Sequence, residues 1–287
     1  MNVGRRTAGR GAPPPSGEWG SESAAAWVKW HDLWEGAARG LSERMIALAD
    51  IGPGQRVLDV ATGLGEPALS VARRIIHNGR VDAIDTSETM LAYARERAAR
   101  LGLDNVDFEV MAGERIAYPA ATFDALLCRW GLMFLEDLPR TLAGFRRCLV
   151  PGGRLVAAVW GPPERVPAVS LSGFELHRVL GLPAPAQRPM SAFALSDTGA
   201  LCRGVEEAGF RDVRGEWLNV EFLFESVEAF VAFRKDRSLS LRAELVRFSE
   251  AERDAAWQAV AEAARRYAGP DGRLRMANDA YCLAARR

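Results

Sequence analysis

The run Arg56-Val57-Leu58-Asp59-Val60-Ala61-Thr62-Gly63-Leu64-Gly65-Glu66-Pro67 joins a short apolar strand to small residues and then to a proline. Ala61, Gly63 and Gly65 let the backbone turn sharply and approach a ligand closely. Pro67 suits the first turn of a helix, where a missing N–H costs nothing and the free N–H groups point back at the turn. A polar or anionic ligand end is favoured there. A second apolar strand, Val81-Asp82-Ala83-Ile84-Asp85, ends in a carboxylate about 20 residues beyond the turn. Nucleotide-binding sheets place their ribose acceptor at that spacing, so Asp85 is the candidate for it. The glycine turn alone selects no ligand, because many doubly wound sheets carry one.

With both motifs present, the chain resembles the class I S-adenosylmethionine-dependent methyltransferases. Within them it is similar to the small-molecule branch that includes the ubiquinone and menaquinone methyltransferases, whose first motif reads like Leu58-Asp59-Val60-Ala61-Thr62-Gly63. The resemblance implies S-adenosylmethionine as cofactor and S-adenosylhomocysteine as product. It places the backbone from Ala61 through Thr62 and Gly63 to Gly65 against the methionine end, and Asp85 on the ribose. Asp59 then orders the turn or receives the amino group through water; a carboxylate holding only its own loop is the alternative. Thr86 and Met90 would flank ribose and adenine, although Met90 at helical spacing also suits a core. Where the family usually has an Asp for the adenine amino group, this chain has Ala112. The adenine edge is left to backbone groups of Ala112 and Gly113, or to Glu114.

After the fourth strand comes Cys128-Arg129-Trp130-Gly131-Leu132-Met133-Phe134, a large, aromatic segment. By resemblance, Arg129 belongs near the cofactor and Trp130 and Met133 near the substrate, with helix-packing core as the alternative. The family lays an N-terminal helix over the active site as a lid, and here that helix carries Trp27, Trp30, His31 and Trp34. Trp30 and Trp34 would stack on a flat apolar acceptor and exclude water around the sulfonium, or merely glue the lid to the sheet. His31 is the candidate general base for a phenol or enol, since imidazole titrates near neutrality; a structural role is the alternative. His177 is a candidate for lining the substrate pocket, and His77, before Asn78-Gly79, reads as a helix-end residue.

The elements that must position these groups alternate. Strands are expected near 56–60, 81–85, 106–110, 123–128 and 154–160, with helices from Pro67 to about Ile76, Glu88 to Arg100 and Leu138 to Cys148. Pro151-Gly152-Gly153 reads as a tight turn feeding the fifth strand. Such alternation predicts an α/β, doubly wound, Rossmann-like sheet. Further strands near 213–224 and 276–286 bring the count to seven, and the resemblance makes the seventh antiparallel, between the fifth and sixth. Five regions follow: a disordered leader over 1–20, a helical lid over 21–50 with two helices, a cofactor-binding core over 51–160, a proline-broken substrate-side insertion over 161–195, and the rest of the core over 196–287. The last region carries a helical insertion at 226–268.

Composition narrows the function classes. The 287 residues carry 37 acidic and 37 basic side chains, so no general attraction to nucleic acid or an anionic membrane is built in. Cys128, Cys148, Cys202 and Cys282 are scattered, without C-x-x-C pairs or histidines at ligand spacing, and predict neither a metal site nor a disulfide framework. No apolar run is long enough to span a membrane, which points to a soluble cytoplasmic protein. The partner is expected to be a small-molecule substrate; a homodimer remains open. The implied reaction is direct displacement at the sulfonium methyl by an apolar or aromatic acceptor of quinone or natural-product type, at carbon, oxygen or nitrogen. A cofactor-binding enzyme that uses the sulfonium charge for a rearrangement or decarboxylation is the alternative.

Overall fold

In the computed structural model, the described residues are 21–76, 78–185 and 190–287. The leader expected over 1–20 and the reading of His77 lie outside them. In chain order the elements are α1 (Ser21–Lys29), α2 (His31–Ala49), β1 (Arg56–Val60), α3 (Ala68–Arg74), β2 (Arg80–Asp85), α4 (Glu88–Arg100), β3 (Val106–Val110), β4 (Phe123–Arg129), α5 (Leu138–Cys148) and β5 (Leu149–Trp160). Then follow α6 (Pro167–Val179), α7 (Thr198–Glu207), β6 (Arg211–Phe224), α8 (Val227–Arg237), α9 (Leu239–Leu245), α10 (Glu250–Ala264) and β7 (Leu274–Arg286).

These strands form a seven-stranded sheet in the order β3-β2-β1-β4-β5-β7-β6. The first five are parallel, and β7 runs antiparallel to both β5 and β6. Strand order reverses between β1 and β4, which leave the sheet side by side toward opposite directions of the chain. In open α/β sheets the crevice beyond the carboxyl ends at such a switch point is where ligands bind. Val57, Leu58, Leu126, Leu127 and Val156 on these strands are fully buried, as expected for strands covered on both faces by helices.

The two N-terminal helices meet at Trp30, and α2 runs without interruption through Gly40, which sits exposed with open space around it. Two local readings shift. Pro151-Gly152-Gly153 lies inside β5, not before it. There Phe123 pairs with Leu149 and Ala125 with Arg154, so the extra residues form a bulge, with Gly152 at φ +80°. The first βα helix begins at Ala68, one residue after Pro67, and ends at Arg74.

Capping explains several boundaries. Ser87, Asp137, Asp197 and Ser226 each accept a backbone N–H at the start of α4, α5, α7 and α8. Helix α6 is fixed over the sheet edge from β7, where the buried Asn278 side chain accepts the Ala168 N–H at 2.8 Å. Helices α8, α9 and α10 lie between β6 and β7 in sequence, and no helix among the described residues is long and apolar enough to cross a membrane.

Candidate active site

The turn after β1 is held by the end of β2. Thr62 N–H donates to the Ile84 carbonyl at 3.0 Å, and Gly63 N–H donates to Asp85 Oδ2 at 2.9 Å. The other Asp85 oxygen accepts Ser87 N–H at 2.9 Å. Burial pushes the Asp85 carboxyl up from the ordinary range, against the pull of these N–H groups. Ala61, Gly63 and Gly65 all adopt left-handed backbone, at φ 59°, 55° and 101°. At Gly65 a Cβ would also stand 2.9 Å from Leu69 Cδ1 and 3.2 Å from Ala94 Cβ, so glycine is required for helix packing as well as for the turn.

Beside this turn, the segment after β4 is strained too. Trp130 has φ 56°, unusual for a bulky residue, and its N–H is tied to the Ala158 carbonyl at 2.8 Å. A Cβ on the adjacent Gly131 would lie 2.5 Å from Ala61 Cβ, which shows how closely the two turns pack. Asp59 stands behind them without solvent exposure, its Oδ2 accepting Ala68 N–H at 3.1 Å across the turn. Burial pushes its carboxyl up to about 7, although Arg129 and the Ala68 N–H pull the other way.

In front of both turns opens a cavity of about 760 Å³. Ala61, Thr62, Gly63, Asp85, Thr86 and Met90 form one end of its wall, and Gly113 and Glu114 continue it below. Glu114 also accepts the Glu136 N–H at 3.0 Å. The sequence-predicted residues Asp59, Gly65 and Ala112 stand outside the wall, and Met111 takes a place in it instead. For Asp59 this supports the loop-holding role.

Another part of the wall is aromatic. Trp130 stacks on Trp160 with centroids 4.2 Å apart, and Trp34 meets Trp130 edge-on at 5.2 Å. The Trp130 Nε1 is buried without a hydrogen-bond partner. Trp30 and Met133, expected at the substrate, lie outside this wall. Trp30 donates its Nε1–H to Asp236 at 2.8 Å and sets its ring edge-on to Phe233, tying the start of α2 to α8. Met133 is core, 2% exposed.

The remaining predicted residues are in the wall with their polar atoms differently disposed. Arg129 donates to both oxygens of Glu35, at 2.7 and 2.5 Å, and to Ser42 Oγ at 2.7 Å. Its charge is therefore spent on clamping α2 to β4 rather than offered to a ligand. Although burial opposes it, the Arg129 charge and hydrogen bonds hold Glu35 below the ordinary carboxylate value. His31 pairs Nδ1 with the exposed Asp32 at 2.9 Å, while its Nε2 is buried and unpartnered. His177 has both ring nitrogens engaged, by the Pro183 carbonyl at 2.5 Å and Glu244 at 3.1 Å, and keeps none for a ligand.

The sequence reading missed Arg234, Arg237 and Ser238, which line the cavity from α8 and the residue that ends it. A signal was present: Phe230, Arg234 and Arg237 lie at i, i+4 and i+7, on the helix face that Phe230 buries. The sequence reading treats the region only as a helical insertion over 226–268, without singling out this face.

The residues present fit S-adenosylmethionine. The two oxygens of Asp85 offer about four acceptor sites, more than the Gly63, Thr86 and Ser87 N–H groups use, so the carboxylate can still take a ribose hydroxyl in the cavity. The volume lies within the range of small-molecule sites, with walls that are apolar at one end and backbone-rich at the other.

Comparison with known proteins agrees. A family described as "Methyltransferase domain" matches residues 57–153. Over 217 residues the chain is 30% identical to a nocamycin O-methyltransferase from Saccharothrix syringae, covering 72% of this chain and 78% of that one. It is 32% identical over 143 residues to a ubiquinone/menaquinone biosynthesis C-methyltransferase from Teredinibacter turnerae, covering 49% of this chain but only 57% of that one. Among solved structures, the YcgJ protein of Bacillus subtilis superposes with a TM-score of 0.57 at 19% identity, over 87% of this chain and 98% of that one, which shows a shared fold.

Proposed function

The chain belongs to the S-adenosylmethionine-dependent methyltransferases, and from that premise we propose that it methylates a small, mainly aromatic or apolar acceptor at oxygen or carbon. The observation that carries this reading is the continuity of one cavity, from Asp85 and the Ala61–Gly63 backbone to the indoles of Trp34 and Trp130. A cofactor ribose on Asp85 and a flat acceptor against the tryptophans would share that space. The two relatives described above, one an O-methyltransferase and one a C-methyltransferase, are the support for this choice of atoms.

When bound, the cofactor supplies an electrophilic methyl group on a sulfonium. What the protein must add is alignment and exclusion of water, and proximity can supply most of the acceleration. Asp85 and the backbone of Thr62 and Gly63 would hold the ribose and methionine ends; Met90 and Met111 would flank the nucleoside. Trp130, fixed by its stack on Trp160, would orient the acceptor ring. The unpartnered Nε2 of His31 would take the proton that an oxygen or enol acceptor loses.

The test is incubation with methyl-labelled S-adenosylmethionine and a panel of naphthols, hydroxyquinones and enolic acids, followed by mass spectrometry. Methylated product appearing one-for-one with S-adenosylhomocysteine is the expected result. Consumption of acceptor without gain of the labelled methyl would favour the sulfonium-assisted rearrangement and overturn the proposal.

A further inference from the structure

The cavity wall contains five carboxylates, and each already has a partner. Glu35 is bound by Arg129, Glu66 by Arg97 and Glu244 by His177, while Asp85 and Glu114 accept backbone N–H groups. The cations are not balanced in the same way. Arg234 is 8% exposed, and its only hydrogen bond among the described residues runs from Nε to Ser172 Oγ of α6 at 2.9 Å. Arg237, one turn further along the same face of α8, lies 3.0 Å above the Trp27 ring and 4.7 Å from that of Trp34. No carboxylate among the described residues forms an ion pair with either guanidinium.

Indole faces attract Arg237 but do not neutralise it. The carbonyl end of α8 contributes roughly half a negative charge, against two positive ones. Beside them Ser238 Oγ is buried without a partner and also faces the cavity. Burial lowers Arg234 to about 10, and burial together with the neighbouring Arg234 charge lowers Arg237 well below its ordinary value. A buried arginine, a half-buried one and a buried hydroxyl without a partner among the described residues, converging on one cavity, are arranged as a receptor for an oxyanion.

We propose that the acceptor is an acid whose carboxylate sits against Arg234, Arg237 and Ser238, with its apolar body along the Trp34 and Trp130 wall. This rests on the methyltransferase reading and names the substrate class for the same cavity. The cofactor's own methionine carboxylate is the competing occupant. Arg234 favours the acceptor: it is bonded to Ser172 of α6, a helix that also supplies Ser170 and Phe174 to the wall, whereas Arg237 lies over Trp27, which packs with Leu64 and Met90.

The experiment is calorimetric titration of 2-naphthoate and its neutral counterpart 2-naphthamide into the protein saturated with S-adenosylhomocysteine. Naphthoate is expected to bind at least about ten-fold tighter, as charge-assisted hydrogen bonds require. Arg234→Met and Arg237→Met, which keep the apolar stems, should abolish that preference and leave S-adenosylhomocysteine affinity within about two-fold. Naphthoate should also raise the Tm of the unsubstituted protein while naphthamide does not, a readout independent of the variants. Equal binding of the probes, absence of naphthoate binding, or loss of S-adenosylhomocysteine affinity in Arg237→Met with naphthoate unaffected would each overturn the proposal. If the unsubstituted protein did not bind S-adenosylhomocysteine, the methyltransferase reading itself would fail, which is a separate result.

Discussion

The glycine-turn part of the cavity wall is held together by backbone, whereas the part lined by tryptophans and arginines is held together by side chains. At the first, Gly63 and Ser87 N–H groups converge on Asp85, and the segments from Ala61 to Met90 lie within β1-α3-β2 and the first turn of α4. At the second, the wall is gathered from Trp34 on α2, Trp130 and Trp160 at strand ends, Phe174 on α6, and Arg234 and Arg237 on α8. Backbone geometry can receive a cofactor common to many enzymes, while the side-chain end is free to vary with the acceptor. The difference also appears in charge, since the carboxylates of the cavity are satisfied and two of its arginines are not.

Substitutions can break this comparison or sharpen it. The largest effect is expected at the seam, where Arg129 joins β4 to α2. Arg129→Met leaves Glu35 partly buried without its cation and should cost about 3–5 kcal/mol of stability, measured by denaturant unfolding. A loss below about 1 kcal/mol would show that α2 is not fixed to the sheet by this pair.

Next comes the pH dependence of stability set by Asp59. Burial raises its folded value from 3.8 to about 7, so the native state binds the proton more tightly than the unfolded chain does. Its contribution is greatest below pH 3.8 and falls as pH rises toward 7, by at most about 4 kcal/mol. Asp85, also raised, acts in the same sense, whereas Glu35, lowered, loses its stabilisation as pH falls. Asp59→Asn should therefore flatten the decline between pH 5 and 7, as read from unfolding curves across that window; an unchanged slope would count against the buried-acid assignment.

Smaller effects separate the two ends. Asp85→Ala should weaken S-adenosylhomocysteine binding by about 1–3 kcal/mol in calorimetry, while naphthoate affinity changes little. Trp130→Phe should act in reverse, raising acceptor KM by a factor on the order of five with S-adenosylhomocysteine affinity retained. Equal losses of both ligands in either variant would dissolve the distinction and leave one jointly packed site.

The fold was legible because its signals are local. Alternating apolar strands and helices, Gly63 and Gly65, and the carboxylate ending β2 each lie in a short window and anticipated the doubly wound sheet; the antiparallel β7 between β5 and β6 was implied only by the family resemblance. The side-chain end was read less well. Trp30 and Trp34 look equivalent at helical spacing, yet Trp34 lines the cavity while Trp30 is turned to Asp236 and Phe233. Arg129 was placed beside the cofactor, but its partner Glu35 lies 94 residues away in sequence.

By itself the sequence determined the doubly wound sheet, the glycine turn and Asp85, because backbone turns and strand ends depend on residues that are neighbours in the chain. Tertiary structure alone decided which cations keep a partner. Arg129 finds one on α2; Arg234 and Arg237, on a helix inserted between β6 and β7, find a hydroxyl and aromatic faces but no carboxylate among the described residues. Charge balance in a buried cavity depends on which distant segments meet there, and no local window records that meeting.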